Sequence, residues 1–287
     1  ELDARFWLIQ IFNGVSYGAL LFLLASGLTL IFGVMRIVNL AHGAYFLLGG
    51  YVALSVIWAT GSWALAIPLA ALAVALIGLL MERVFLRPLG FDPLRQVLLT
   101  VGFAFLFQQG ALDIWGGDPL DIDPPAVLKQ SLVVAGLHLP VYRIFMIGVA
   151  LAVGLVLWLV MERTRVGAMV RAAVDDSEMA RGVGIDTSRV SMLIFALGAF
   201  LAALGGVIGG PFLGVYPGLD FEILPIAFAV VIIGGMGSLA GAAVGSLLVG
   251  LADNFGKALF PEIAYFSLYA PMVLILAVKP TGLFGRE

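Results

Sequence analysis

From Phe6 to Phe32 the chain carries no Asp, Glu, Lys or Arg, and none again from Ile37 to Met81. A helix of about 20 apolar residues matches the ~30 Å of bilayer hydrocarbon, whereas a spanning strand needs only about 10. In lipid every backbone N–H and C=O must be paired within the fold, so runs of this length are read as membrane-spanning helices. Composition extends the argument to the whole chain. Of its 287 residues 62% are hydrophobic and 11% charged, where a soluble domain carries about 25% charged residues. The expected fold is all-α: a polytopic transmembrane helix bundle forming a single domain over residues 1–287.

The apolar runs and their flanks place spans near 6–32, 37–58, 63–81, 96–115, 141–161, 190–213, 223–251 and 263–278. The second is broken at its start by Asn39-Leu40-Ala41-His42-Gly43, and the seventh by Gly234-Gly235-Met236-Gly237-Ser238. The total is eight spans, or nine if the Gly234–Ser238 break splits one. Two breaks in corresponding regions are a pattern that transporters use to build sites from discontinuous helices. The opening Glu-Leu-Asp-Ala-Arg leads directly into the first apolar run without a small-residue cleavage site, so that run reads as a span rather than a signal peptide.

Charge sets the orientation. Arg83, Arg87 and Arg95 lie in one loop, and Arg163, Arg165, Arg171, Arg181 and Arg189 in another. Between them, residues 116–140 hold Asp118, Asp121 and Asp123 against a single Lys129. The positive-inside rule makes 162–190 a cytoplasmic loop and 116–140 an extracytoplasmic acidic loop. Arg36, Lys279 and Arg286 join the inner side. This parity needs the glycine break to return the chain inward and leaves the N-terminus outside, against the hint from Arg5.

Several functions are excluded. There is no cysteine, and His42 and His138 are far apart with no ligand spacing, so no metal site or cofactor is expected. The net charge of −3 with no basic run argues against nucleic acid. No nucleophile–base set suggests an intramembrane enzyme. No Gly-x-x-x-x-Gly-Lys-Ser/Thr loop occurs: Gly256-Lys257 is followed by Ala258 and lacks the earlier glycine, so the chain is not expected to hydrolyse ATP itself.

In the long basic loop, Met169, Val170, Ala173 and Ala180 alternate with Arg171, Asp175, Glu178 and Arg181 at helical spacing. Asp175-Asp176-Ser177 can cap a helix ending near Gly182 or Gly184. The segment reads either as short surface helices with an apolar underside that docks in a partner's groove, or as a solvated loop. Within the spans, Asn39 and His42 are three apart and share a helix face. They either line a polar path, or Asn39 caps the second span close to the inner surface and His42 pairs with a backbone carbonyl. Asn13, Ser16 and Tyr17 form a second polar group, explained equally by helix–helix hydrogen bonds. Gly237, Gly241 and Gly245 recur every four residues, a close-packing spacing. The other reading is a broken helix whose backbone at Gly234, Gly235 and Gly237 meets a substrate. Gln108, Gln109 and the pairs Gly205-Gly206 and Gly209-Gly210 are assigned to packing. Asp220, Glu222 and Asp253 are expected at the membrane interface.

Several blocks resemble the LivH/LivM-type permeases of branched-chain amino acid ABC transporters, on the LivH-like side. They are Gly27-Leu-Thr-Leu-Ile-Phe-Gly33, Ile37-Val-Asn-Leu-Ala-His-Gly43, Arg171 to Asp186, Gly234-Gly-Met-Gly-Ser-Leu-Ala-Gly241 and Lys279-Pro-Thr-Gly-Leu-Phe-Gly285. In the third block, Ala172, Ala180, Gly184 and Ile185 fall on that family's coupling-segment pattern. The resemblance implies a permease subunit in a bacterial inner membrane, coupled through Arg171, Ala172, Asp175, Glu178, Ala180, Arg181, Gly184 and Ile185 to two separate ATP-binding subunits. It also implies a LivM-like second permease subunit and a soluble substrate-binding protein. The competing expectation is an ion-coupled carrier or channel for a small polar solute. Spans one to three offer no deep ionisable residue except His42, which disfavours proton coupling but leaves sodium coupling open.

Overall fold

The computed structural model describes residues 3–90 and 92–285; Arg286 lies outside the described residues. The elements run α1 (Ala4–Met35), α2 (His42–Thr60), α3 (Trp63–Leu80), α4 (Pro93–Trp115), β1 (Ser131–Val134), β2 (Leu137–Pro140), α5 (Val141–Arg163), α6 (Arg165–Asp175), α7 (Ser177–Gly182), α8 (Thr187–Leu213), α9 (Leu219–Gly234), α10 (Leu239–Leu259) and α11 (Ala264–Val278). Among the described residues eight helical segments are long and apolar enough to cross a membrane, with α3 carried on to Leu89 by a π turn and a 3-10 turn. The chain is a multi-pass, all-α membrane bundle.

The glycine break does split the seventh region. Its first half, α9, has 16 residues, roughly 24 Å of helix, short of the ~30 Å hydrocarbon. Its second half extends past residue 251 to Leu259. The loop 116–140 contains a small antiparallel hairpin, β1–β2, turned by Ala135 and Gly136 at φ 52° and 80°. Positive φ at both central residues suits a two-residue hairpin turn.

The core lies where α1, α2 and α8 cross. Most of α1's apolar stretch is buried (83%), against 6% for the last span. The helices approach closely because small residues meet. A Cβ added to Gly27 would lie 2.6 Å from the carbonyl of Gly198. Helices α4, α5 and α11 turn exposed Leu, Phe and Val side chains outward, as lipid-facing or partner-facing spans do.

Contacts sort the loops onto two faces. On one, Arg36 donates to the Val174 carbonyl (3.2 Å), Arg87 to the Ser188 carbonyl (2.9 Å), and the Phe284 amide to the Gly234 carbonyl (3.0 Å). On the other, Leu120 and Val215 exchange backbone hydrogen bonds, Arg5 lies against Gly136, and Asn254 donates to the Gln10 carbonyl (3.0 Å). Arg5 therefore shares the face of the 116–140 loop, and the glycine break shares that of Arg36, as the parity argument required. The first is the arginine-rich face: Arg36, Arg83, Arg87, Arg95, Arg163, Arg165, Arg171, Arg181, Arg189 and Lys279 belong to it. Arg5, Lys129, Arg143 and Lys257 belong to the second, the hairpin face.

Candidate functional site

Helix α1 ends at Met35, and Arg36 takes a left-handed conformation with its N–H on the Phe32 carbonyl. Residues 37–39 belong to no helix or strand, and the chain turns at Leu40 and Ala41 before α2 begins at His42. His42 Nε2 lies 2.7 Å from the Leu24 carbonyl. Leu24 is eleven residues before the end of α1, so roughly 16 Å inside it. Asn39 and His42 are fully buried. The expectation that Asn39 lies near the inner surface and caps the second span is corrected: its Oδ1 accepts from the Ala41 N–H (3.1 Å), and α2 has no side-chain cap.

Because a carbonyl only accepts, His42 donates through Nε2, which leaves Nδ1 as an acceptor. That Nδ1 has no hydrogen-bond partner, whereas the Asn39 side chain also faces the Tyr45 hydroxyl. An unsatisfied buried polar group costs about 1–3 kcal/mol. One histidine nitrogen thus pairs with a backbone carbonyl as expected, and the other remains open inside the bundle.

A second polar group meets this one from α9. The segment after α8 runs along α2, so that a Cβ on Gly50 would lie 2.9 Å from Val215, while Gly43 packs on the Asp220 carbonyl. The first turns of α2 and α9 are therefore neighbours. Asp220 is 2% exposed in the first turn of α9, where its own amide and that of Phe221 face its carboxylate. Tyr51 is fully buried with an unpaired hydroxyl. Its ring stacks on Trp115 at 4.9 Å, and Trp115 Nε1 donates to Ser55 Oγ (2.8 Å). The expected interfacial placement of Asp220 is thus wrong. Glu222, two residues on, is exposed and accepts from the Tyr216 hydroxyl (2.5 Å). Burial and the Glu222 carboxylate push that hydroxyl up to about 12. Asp253 pairs with Lys257 at 3.1 Å. A sequence cannot separate Asp220 from Glu222, because only the inward dip of the 214–218 segment buries one of them.

Beside the break, an apolar pocket of about 380 Å³ is lined by Leu28, Phe32, Leu40, Phe228, Val231 and Met236, among others.

The other candidates lie apart. Near the hairpin face, Asn13 gives its carbonyl to Ser16 Oγ (2.8 Å), and Ser16 Oγ accepts from Arg143 (3.1 Å). The Tyr17 ring faces Phe212 and the Lys257 ammonium. At the glycine break the exposed backbone is largely taken: Gly237 N–H donates to Thr29 Oγ1 (2.8 Å), and the Gly234 carbonyl accepts from Phe284. Gly235 (φ +100°) and Gly237 (φ +88°) hold the turn in conformations that favour glycine. Gly241 and Gly245 face the backbone of Gly234 and Val230, so the four-residue spacing serves the α9–α10 pair.

The basic loop forms α6 and α7. Thr164, Asp176 and Asp186 cap successive helix starts. Gly184 (φ +94°) turns the chain, and the Ile185 amide closes on the Ala180 carbonyl (3.0 Å). The apolar underside packs differently from expectation. Val170, Ala173 and Ala180 are buried against this chain's own spans, and Ala172 and Ile185 are half-buried. Arg171, Asp175, Glu178, Arg181 and Gly184 are exposed, and so are Met179 (65%) and Val183 (71%), which sequence reasoning had not singled out.

The permease protein BraD of the high-affinity branched-chain amino acid transport system of Pseudomonas aeruginosa is 31% identical over 98% of this chain and 96% of its own length. The corresponding protein LivH of Salmonella typhimurium is 32% identical with the same coverage, and LivH of Escherichia coli strain K12 is 30% identical, again with 98% and 96% covered. No solved structure matches the chain. The family model described as branched-chain amino acid transport system, permease component, matches residues 10–277, and the chain belongs to that family.

Proposed function

We propose that this chain is the membrane permease subunit of an ATP-driven importer for branched-chain or related amino acids in a bacterial inner membrane. A soluble binding protein delivers the substrate at the hairpin face, a LivM-like second permease subunit completes the path, and two ATP-binding subunits supply the power. The concentration of arginines assigns their face to the cytoplasm. The observation that carries the reading is the α6–α7 unit. Three buried side chains, Val170, Ala173 and Ala180, seat it on the spans. Met179 and Val183 are exposed on the same short segment as the charged Glu178 and Arg181, a surface suited to an apolar groove with a charged rim. Arg36 ties α6 to the end of α1 through the Val174 carbonyl. A push on α6 therefore reaches the break that sets the position of His42.

Charge placed on the free face tests this. Met179→Asp or Glu178→Lys should abolish copurification of the ATP-binding subunits and ATP-driven uptake, while the permease itself stays folded in detergent. Survival of both copurification and uptake would overturn the assignment. Uptake by this chain alone in liposomes, driven by an ion gradient, would identify a carrier instead.

A further inference from the structure

We propose that the cavity beside the β1–β2 hairpin is an entry subsite on the hairpin face, where Arg143 receives the carboxylate of the transported amino acid. The inference rests on the amino-acid importer reading above and adds a first point of contact with the substrate. The cavity measures about 330 Å³, and its walls come from the 116–140 loop, the start of α5 and the end of α8. Leu128, Phe212, Pro124 and Pro211 give it apolar walls, while Lys129 and Arg143 supply its charge. No aspartate or glutamate lines it.

The two cations are placed differently. Lys129 is exposed and already paired with Asp123 at 3.4 Å. Arg143, in the first turn of α5, is half-buried, and among the described residues no carboxylate pairs with it. Its guanidinium is nonetheless held in place. It donates to Ser16 Oγ (3.1 Å), that hydroxyl donates on to the Asn13 carbonyl (2.8 Å), and the Phe212 ring centre lies 4.6 Å from the guanidinium carbon. A guanidinium carries five N–H donors in a planar fork, so Ser16 leaves most of the fork for another acceptor. A helix start also disfavours a cation and favours an anion. An arginine at that position without a counterion is a residue choice that packing alone does not explain, and an anion in the cavity answers both charges.

Size and lining select a small amphipathic anion over a protein surface. Sites for small molecules begin at roughly 300 Å³ and combine apolar walls with a few polar groups that fix orientation. A protein partner needs about 800 Å² of surface on each side, far more than one cavity of this size offers. A branched aliphatic amino acid matches both parts of the lining. Its carboxylate takes the unused part of the Arg143 fork, where two parallel hydrogen bonds are the favoured geometry. Its side chain lies against Leu128 and the proline rings.

The test uses the assembled complex, purified in detergent without the binding protein. The two probes share a skeleton and an ammonium group: leucine, and leucinamide, in which a neutral amide replaces the carboxylate. Competition against radiolabelled leucine on the wild-type complex should favour leucine about 10-fold, the lower end of the scale for hydrogen bonds to a charged group. Arg143→Gln should bring that preference down to about 1. Arg143→Lys, which keeps the charge but not the fork, should leave about 3-fold. Equal affinity of the wild-type complex for the two probes, no measurable leucine binding, or an unchanged preference in Arg143→Gln would overturn the proposal. An unchanged preference together with lost stimulation of ATP hydrolysis by the binding protein would assign Arg143 to a carboxylate of that protein instead. Should Arg143→Gln not assemble, Leu128→Ala decides. Leucine binding should then fall about 5-fold, the scale of trimming one buried aliphatic side chain, while alanine binding holds, and equal losses for both would overturn the proposal. Failure of the wild-type complex, supplied with its binding protein, to take up leucine with ATP would instead sink the importer reading itself.

Discussion

The chain breaks its helices inside the bundle in two places, and the two breaks are finished differently. At 234–238 the loose ends are tied. Ser238 caps α10 through the Gly241 amide (3.0 Å), Thr29 takes the Gly237 amide, and the tail at Leu283 and Phe284 hydrogen-bonds the Ile233 and Gly234 carbonyls. At 36–42, and along α2 beyond it, polar atoms are left open: His42 Nδ1 and Tyr51 Oη. The glycine break is the less buried of the two, with Met236 exposed and Gly237 and Ser238 half-buried, whereas Ile37, Asn39, Ala41 and His42 are buried. Unsatisfied groups in a low-dielectric interior destabilise a fold, and a chain that closes one break so fully leaves the other open at a cost. The first break is closed by contacts from α1 and the tail, and the second keeps His42 Nδ1 without a partner inside the bundle.

The largest effect that separates them is expected from filling the closed break. Gly235→Val introduces a β-branched side chain at φ +100°, where its Cβ would lie 2.9 Å from Gly285 and Phe284 backbone atoms. It should displace the tail and prevent recovery of folded protein, seen as loss of the monodisperse peak after detergent extraction. Recovery at wild-type levels would mean that the tail does not hold the turn. Next comes the open break: His42→Ala should lower uptake or shift selectivity by about 10-fold, the scale of a hydrogen bond to the transported solute, with subunit assembly intact. Loss of assembly with unchanged selectivity would make His42 a strut between α1 and α2. The smallest effect is expected from Ser238→Ala, which removes one helix cap. It should cost about 1 kcal/mol, measurable as a slightly lower melting temperature with uptake per folded complex unchanged. A selectivity change there would erase the distinction between the two breaks.

How much of this was legible beforehand differs between fold and site. The spans could be read because a bilayer imposes a length and an apolar composition that the runs at 6–32 and 63–81 display directly. The caps at Asp176 and Asp186 follow from short polar side chains preceding helical stretches. The two breaks were visible as polar or glycine interruptions. Their depth was not, since an Asn-Leu-Ala-His-Gly stretch reads alike at the surface or roughly 16 Å inside a helix. The same holds for Ala180 and Met179. Adjacent residues of one short helix divide between the seat and the free face according to how α7 is rotated on the spans.

The sequence by itself determined that this chain lives in lipid, how many times it can cross, which loops share a side, and which family it resembles. These properties are set by local composition and by charge. Tertiary structure alone decided that Asp220 is buried while Glu222 is exposed, that the starts of α2 and α9 meet, and that the glycine break is sealed by residues of α1 and the tail. Each of these depends on contacts between segments far apart in the chain, where close approach at Gly27 and Gly198 or at Gly43 and Asp220 fixes depth and rotation, and no local pattern encodes either.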